Sequence, residues 1–150
     1  MRNKPVFLKA IVSLGVGYSP VLPGTLGSLV GMLLYFCVAS SVTWYAVAFV
    51  VLSGIGILAS RAILKLTAEK DPSWIVIDEA IGILVTFFGI APRISILVIG
   101  FALFRFLDST KVFPLDRLEH LPGEWGVLLD DVGAGLYANL ALHLLLKVAS

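Results

Sequence analysis

Two pairs of adjacent carboxylates lie within apolar stretches of the sequence, Asp78-Glu79 and Asp130-Asp131. Neighbouring carboxylates repel each other unless a proton or a cation lies between them. Oxygen ligands with no thiol or imidazole nearby favour a hard cation, Mg²⁺ before Zn²⁺. Two acidic pairs at the same depth on different helices would together supply the ligands of a divalent ion. The pattern therefore predicts a magnesium site, whose four ligands are also the candidate catalytic residues.

Each pair also has an interpretation without a metal. Asp78 and Glu79 could be neutralised by protons or paired with Lys or Arg. The second pair could stabilise the positive end of a helix, although this accounts for one acid better than for two. A further acid, Asp71, precedes Pro72, and this order is typical of a helix start with an aspartate cap. Asp71 is therefore interpreted as a cap.

Asp108 lies one helical turn after Arg105 and one turn before Lys111. Such neighbours can form ordinary surface ion pairs, which contribute little to stability. Alternatively, Asp108 faces the metal as a further candidate catalytic residue, while Arg105 and Lys111 bind phosphate oxygens. The residue types alone leave both possibilities open.

A segment rich in glycine and proline, residues 15–28, precedes the first long apolar run. A helix that begins near Pro23 and Gly24 would present free backbone N–H groups and a positive dipole end, which bind phosphate. Thr25 and Ser28 are the candidate phosphate-binding side chains. This segment and the apolar run that follows it contain small residues that would let another helix approach closely: Gly24, Gly27, Ser28 and Gly31. The two roles are compatible.

Other reactive side chains offer little. The single Cys37 excludes a disulfide framework and a cysteine-based metal site. His120 is interpreted as a solvated loop residue and His143 as a packing residue far from the acids, so no catalytic triad is expected. Trp44 and Tyr45 are interpreted as anchors at a membrane interface. A net charge of +1, with no basic-aromatic patch, argues against nucleic-acid binding.

The elements that must position the acids are predicted to be membrane helices. Hydrophobic residues make up 59% of the chain and charged residues 14%, against about 25% in ordinary soluble domains. Five apolar runs reach spanning length when weakly polar flanks are included: 24–40, 42–66, 72–90, 92–108 and 130–148. The sequence predicts one all-α domain over residues 1–150, a polytopic membrane bundle of about five transmembrane helices. Residues 1–14 are expected to form an interfacial helix.

The basic residues predict the orientation of this bundle. With five spans, nine of the eleven Lys and Arg residues share the side of the N-terminus, and only Arg93 and Lys147 lie opposite. The N-terminus is therefore expected to be cytoplasmic. All ten carboxylates fall on that side or in the adjacent ends of the spans. Acids at membrane depth cost about 2.5–3.5 kcal/mol each, so they indicate a functional site.

Four segments, in this order, resemble the phosphatidylglycerophosphatase A family. They are Pro23-Gly24-Thr25-Leu26-Gly27-Ser28; Asp71-Pro72 with Val76-Ile77-Asp78-Glu79 and Gly82; Phe104-Arg105-Phe106-Leu107-Asp108 with Lys111; and Asp130-Asp131 with Ala134-Gly135. The resemblance runs from about residue 15 to residue 140. It implies a bacterial inner-membrane enzyme that removes the terminal phosphate of phosphatidylglycerophosphate with Mg²⁺, giving phosphatidylglycerol.

The expected protein is thus a multi-pass lipid phosphatase of the bacterial cytoplasmic membrane, with its active site facing the cytoplasm. Mg²⁺ is the expected cofactor and a phospholipid the expected substrate, and no nucleic-acid partner is expected. Direct attack by water and a phospho-aspartyl intermediate, with Asp78 or Asp130 as nucleophile, both stay open. The alternative function is a small cation- or proton-coupled transporter, because acids within membranes also line ion paths.

Overall fold

A computed structural model describes residues 4–67 and 72–149 of the chain. Within these ranges the structure has seven helices and no strand, which confirms the all-α prediction. The helices are α1 (Lys4–Val12), α2 (Pro23–Val38), α3 (Val42–Leu64), α4 (Ile77–Thr86), α5 (Ile94–Thr110), α6 (Leu115–Glu119) and α7 (Glu124–Val148). Asp71, the predicted helix cap, lies outside the described residues.

Helix α4 is the centre of the fold, with α2 on one side and α7 on the other. On the α2 side, Gly27 lies against Val76 and Gly31 lies against the backbone of Ala80. The small residues of α2 therefore allow a close helix contact, as the sequence predicted. On the α7 side, Gly135 lies against the carbonyl oxygen of Gly82. Glycine contacts on both sides thus hold α4 between its neighbours at close range.

The long helices alternate in direction. Helices α2, α4 and α7 run parallel. In each of the pairs α2–α4 and α4–α7, residues further along one helix contact residues further along its partner. Helix α3 runs antiparallel to α4, since Gly56 lies near Ile81 whereas Tyr45 hydrogen-bonds to the carbonyl oxygen of Leu84. Helix α5 also runs antiparallel to α4. Its Phe104 lies beside Gly82, and its Gly100 lies beside Phe87.

Helix α4 is shorter than the span of 72–90 that the sequence predicted. Its ten residues extend about 15 Å, roughly half the hydrocarbon thickness of a bilayer. The segment before it is irregular, and the chain leaves the helix through Gly89, whose φ of 73° suits glycine. An apolar composition does not distinguish a long helix from a short helix with buried irregular flanks.

Backbone carbonyl groups at the irregular end of α4 accept hydrogen bonds from side chains of three other helices. Tyr35 of α2 donates a 2.7 Å hydrogen bond to the carbonyl oxygen of Ile90. Tyr45 of α3 donates to the carbonyl of Leu84. Asn139 of α7 donates to two further carbonyl groups of this segment. Irregular backbone is tolerated away from water only when its polar groups find such partners.

Tyr45 is therefore not the interfacial anchor that the sequence suggested. Its side chain is buried within the fold and its hydroxyl group is used by α4. The neighbouring Trp44 is exposed. Two residues adjacent in a helix point about 100° apart, so one can face the interior while the other faces outward.

One helix of the described residues, α3, is long and apolar enough to cross a membrane by length and composition. Helix α2 is apolar but has only 16 residues. The predicted bundle of five spans is therefore not confirmed. The structure does carry large apolar side chains on the outer surfaces of several helices, such as Leu33, Val50, Val98 and Leu144, all of which are exposed.

Candidate active site

Three carboxylates meet at one end of the fold. Asp78 and Glu79 lie in the first turn of α4, and Asp131 lies on α7 beside them. One oxygen from each residue can be chosen so that all three lie within 4.8 Å of one another. Asp78 and Asp131 are buried, and Glu79 is partly buried. We call these three residues the acidic triad.

The donor set of the triad fits a hard divalent cation. Glu79 Oε2 and Asp131 Oδ1 are buried and have no hydrogen-bond partner among the described residues. Buried polar atoms are normally satisfied, and a buried carboxylate oxygen left without a partner is costly. A cation between the three side chains would satisfy these oxygens and remove the repulsion between the charges. The acidic cluster could therefore bind a metal ion, and its oxygen ligands suit Mg²⁺.

Asp130 and Asp108 lie outside the triad and have basic partners. Lys111 Nζ donates to Asp130 Oδ2 at 2.9 Å, and Arg105 Nη1 donates to Asp108 Oδ2 at 2.7 Å. The sequence predicted Asp130 as a metal ligand and left Asp108 between a metal-facing role and an ion pair. The geometry instead groups both acids with the two basic residues that were predicted to bind phosphate.

The start of α2 completes the site. Leu22 is the N-cap residue and makes no side-chain capping bond, and Pro23 occupies the first turn. A Cβ atom at Gly24 would meet the Glu79 carboxylate, and it would lie 3.1 Å from a guanidinium nitrogen of Arg105. The backbone of α2 thus approaches both the triad and the basic residues. A side chain at position 24 would displace the ends of both side chains.

The two hydroxyl residues predicted to bind phosphate do not line the cavity at the site. Ser28 is buried, and its hydroxyl donates to the carbonyl oxygen of Gly24 at 2.8 Å. Thr25 is partly buried. Neither residue is among those that line the cavity at the site, whereas Gly24 is. The backbone at the start of α2, rather than these side chains, therefore faces the cavity.

A cavity of about 280 Å³ joins these groups. It lies between the start of α2, the first turn of α4, the end of α5 and the beginning of α7. Its lining residues are Leu22, Pro23, Gly24, Ser73, Ile75, Asp78, Glu79, Arg105, Asp108, Lys111, Val127, Asp130 and Asp131. Negative and positive side chains therefore share one space, which suits a phosphate group held between a cation and basic residues.

Lys111 has an unusual backbone conformation. It ends α5 with φ 45° and ψ 56°, in the left-handed region that residues other than glycine rarely occupy. Such residues are concentrated at functional sites, where the surroundings hold them. The sequence identified Lys111 by its charge, its spacing from Asp108 and its place in the family motif, and gave no sign of this conformation.

Sequence reasoning placed Gly24 at the helix start but missed its approach to Glu79 and Arg105, and it missed Ser73 and the capping residue Asn139. Gly24 had a detectable signal, because it follows proline at the start of a helix that was itself predicted to bind phosphate. Ser73 and Asn139 had none: Ser73 is identified only by its place in the cavity lining, and the partners of Asn139 lie far away in the sequence. The two histidines lie away from the triad, with His120 on the backbone of Asp116 and His143 beside Phe88.

The fold and the site define a helical protein with an acid-lined cavity that is flanked by basic residues. The model of the phosphatidylglycerophosphatase A family matches residues 10–146. Phosphatidylglycerophosphatase A of Escherichia coli is 32% identical over 88% of this chain and 78% of its own length. The enzyme of the same name from Haemophilus influenzae is 34% identical over 92% and 86%.

A Bacteroides thetaiotaomicron protein, named provisionally as a phosphatidylinositol-3-phosphatase, is 33% identical over 93% of this chain and 94% of its own length. No solved structure matches the chain. The chain belongs to the phosphatidylglycerophosphatase A family, and is therefore a phosphatase. This confirms the resemblance that the sequence motifs indicated.

Proposed function

We propose that this chain is a Mg²⁺-dependent lipid phosphatase, which hydrolyses phosphatidylglycerophosphate to phosphatidylglycerol and phosphate. The observation that carries the proposal is the composition of one cavity. Three clustered carboxylates with unsatisfied oxygens lie beside two basic residues and a helix N-terminus. Two relatives in the family are named for this activity.

In the proposed mechanism, Asp78, Glu79 and Asp131 would hold Mg²⁺, which would supply positive charge to polarise the phosphate and to lower the pKa of a water molecule. Arg105 and Lys111 hold the phosphoryl oxygens and spread the charge of the transition state. The N–H groups at the start of α2 add further positive potential on the same side.

Hydrolysis forms a bond between the water oxygen and phosphorus and breaks the bond between phosphorus and the glycerol oxygen. The attacking water must lose a proton, and the leaving oxygen must gain one. Asp108 and Asp130 line the cavity outside the triad, so one of them is suited to accept the proton of the water. Each is held in position by its basic partner.

A membrane location is part of the proposal. It is supported by the apolar length of α3, by the alternating directions of the long helices, and by their exposed apolar side chains. The triad and the basic residues lie at the end of the bundle that the basic residues predict to be cytoplasmic. A lipid could then keep its acyl chains in the inner leaflet while its phosphate enters the cavity.

The experiment that tests the proposal is phosphate release by purified protein in detergent with Mg²⁺. The substrates are phosphatidylglycerophosphate, phosphatidylinositol 3-phosphate, phosphatidate and glycerol 3-phosphate, and Asp131→Asn is the control protein. We expect the first lipid to be hydrolysed fastest, and the control to be inactive. No release from any lipid would overturn the proposal.

The name of the Bacteroides relative favours a second candidate substrate, phosphatidylinositol 3-phosphate. Hydrolysis of that lipid, with none of phosphatidylglycerophosphate, would establish it instead. The transporter alternative has no comparable support in the fold of the described residues or in the relatives.

A further inference from the structure

The contacts between α4 and α7 follow one constant offset in the sequence. Asp78 lies near Asp131 in the acidic triad. Gly135 lies against the carbonyl oxygen of Gly82, one turn further along. Asn139 hydrogen-bonds to the carbonyl oxygen of Thr86 after one more turn. The partners in each of these three contacts are 53 residues apart, so the two parallel helices are in register over two turns.

The three contacts differ in whether they can fix the position of one helix along the other. The glycine contact brings the helices close together but has no directional bond to stop one helix from sliding along the other. The carboxylates repel each other in the absence of a cation. Asn139 is different, because its Nδ2 group donates to the carbonyl oxygens of both Thr86 and Phe88, at 3.0 and 2.9 Å. Two directional bonds from a buried side chain specify one position.

The triad is sensitive to this position because its members come from both helices. Sliding by one turn would displace α4 by about 5.4 Å, which exceeds the 4.8 Å within which the triad oxygens lie. Even a fraction of a turn would separate Asp131 from Asp78 and Glu79. Helix α4 has only ten residues, and so has little length with which to resist such a shift.

We propose that Asn139 is a positioning residue, which sets the register of α4 against α7 and thereby holds the acidic triad in its ion-binding geometry. The inference rests on the proposed function, since it concerns the same ion site. Asn139 lies two turns from Asp131 on the same face of α7, and it is not among the residues that line the cavity. Its effect reaches the triad through the backbone of α4.

The test measures Mn²⁺ binding to the purified protein by electron paramagnetic resonance, with no substrate present. Asn139→Ala removes both hydrogen bonds, and Asn139→Leu removes them while keeping a side chain with the same number and branching of heavy atoms. Asn139→Gln retains the amide donor on a longer stem. We expect the Ala and Leu variants to lose about 10- to 100-fold in Mn²⁺ affinity, as outer residues of metal sites do. The Gln variant should recover part of the loss.

Two matched controls act at the same end of α4. Thr86→Val removes a hydroxyl that bonds only within α4, to the carbonyl oxygen of Gly82 at 2.9 Å. His143→Ala removes an exposed contact of α7 with Phe88 at 3.2 Å. Both should bind Mn²⁺ as the wild type does. An equal loss in the controls and in the Asn139 variants would overturn the proposal, because the effect would then be general.

Folding is checked by gel filtration and thermal unfolding. Wild-type Mn²⁺ affinity in a folded Asn139→Leu protein would overturn the positioning role, and so would misfolding of both the Ala and Leu variants. If the wild type binds no Mn²⁺, the ion site of the proposed function fails. The positioning role then fails with it, because there is no ion-binding geometry for Asn139 to hold.

Discussion

Asp130 and Asp131 are neighbours in the chain, yet their carboxylates have different partners. Asp131 faces Asp78 and Glu79, whereas Asp130 accepts a hydrogen bond from Lys111. Adjacent residues of an α-helix point about 100° apart, so one acid can face the triad while the other faces the basic residues. The pair thus links the proposed ion site to the proposed phosphate site within one turn of α7.

The proposed ion site predicts a measurable trade-off between stability and ion binding. Replacing Asp131 by Asn removes a buried negative charge next to two others, so the protein without Mg²⁺ should unfold at a higher temperature than the wild type. Added Mg²⁺ should stabilise the wild type but not the variant. Phosphate release should fall by at least about 100-fold.

Asp116→Asn is the control for this prediction, because Asp116 is an exposed acid on α6. It should leave activity and the Mg²⁺ effect unchanged. Chelation of Mg²⁺ should abolish phosphate release by the wild type. Full activity in excess chelator, or a destabilised Asp131→Asn protein with wild-type turnover, would show that the triad does not bind a functional ion.

The Lys111–Asp130 ion pair leads to a second prediction at the scale of single residues. Lys111→Gln leaves the buried Asp130 carboxylate without its 2.9 Å charged partner, and this should cost about 1–3 kcal/mol of stability. The double variant Lys111→Gln with Asp130→Asn should recover most of that stability, because the buried charge is gone. Activity should stay low in both proteins, since the phosphate has lost a basic contact.

Thermal unfolding measures how the loss of Lys111 affects stability, and phosphate release measures how it affects activity. If the double variant also recovers activity, Lys111 serves only to neutralise Asp130, and its proposed contact with phosphate is wrong. The corresponding double variant of Arg105 and Asp108 provides a comparison, because that pair is formed within one helix.

At the scale of elements, the site depends on how closely α2 approaches the first turn of α4. Gly24 is in contact with the Glu79 carboxylate and the Arg105 guanidinium, and any Cβ atom there would displace both groups. Gly27 and Gly31 make the same approach possible further along α2. The glycines of α2 therefore position the site as well as pack the helix.

Gly24→Ala should lower phosphate release by about tenfold or more, since shifts of about 1 Å at a site have large effects on rate. The fold should persist, because the groups that must move are the ends of flexible side chains. Gly54→Ala is the matched control: the position lies in α3 with open space around it, and alanine should raise helix stability by up to about 1 kcal/mol. Equal activity of the two variants would contradict the proposed role of Gly24.

At the scale of the whole molecule, the sequence was most informative about which residues could carry the chemistry. It was least informative about which of those residues contact one another in the fold. The acids, Arg105 and Lys111 could be found because charged residues beside apolar runs are costly and therefore conspicuous. The division between the triad and Asp130 could not be found, because it depends on the rotation of α7 about its axis. Composition also concealed the short length of α4, whose irregular flanks are as apolar as the helix.

The capping residues show the same limit. Tyr35 and Asn139 bond to carbonyl groups 55 and 53 residues away, and a pattern within one helix carries no information about such contacts. Their partners become visible only when all the helices are assembled. The orientation of the assembly in a membrane, by contrast, was predicted from the distribution of Lys and Arg alone, and that prediction is still open to test.

Exposed residues at the two ends of the bundle allow this orientation to be tested directly. Asp116 lies at the end that contains the site, and Ala91 lies in the turn between α4 and α5 at the opposite end; both are exposed. Single cysteines, Asp116→Cys and Ala91→Cys, are placed in a Cys37→Ser background and treated in intact cells with a thiol reagent that does not cross membranes. Because basic residues concentrate on the cytoplasmic side, position 91 should be labelled and position 116 should react only after the cells are broken. The reverse pattern would place the cavity on the outer face, and a substrate phosphate held in the inner leaflet could then not reach it.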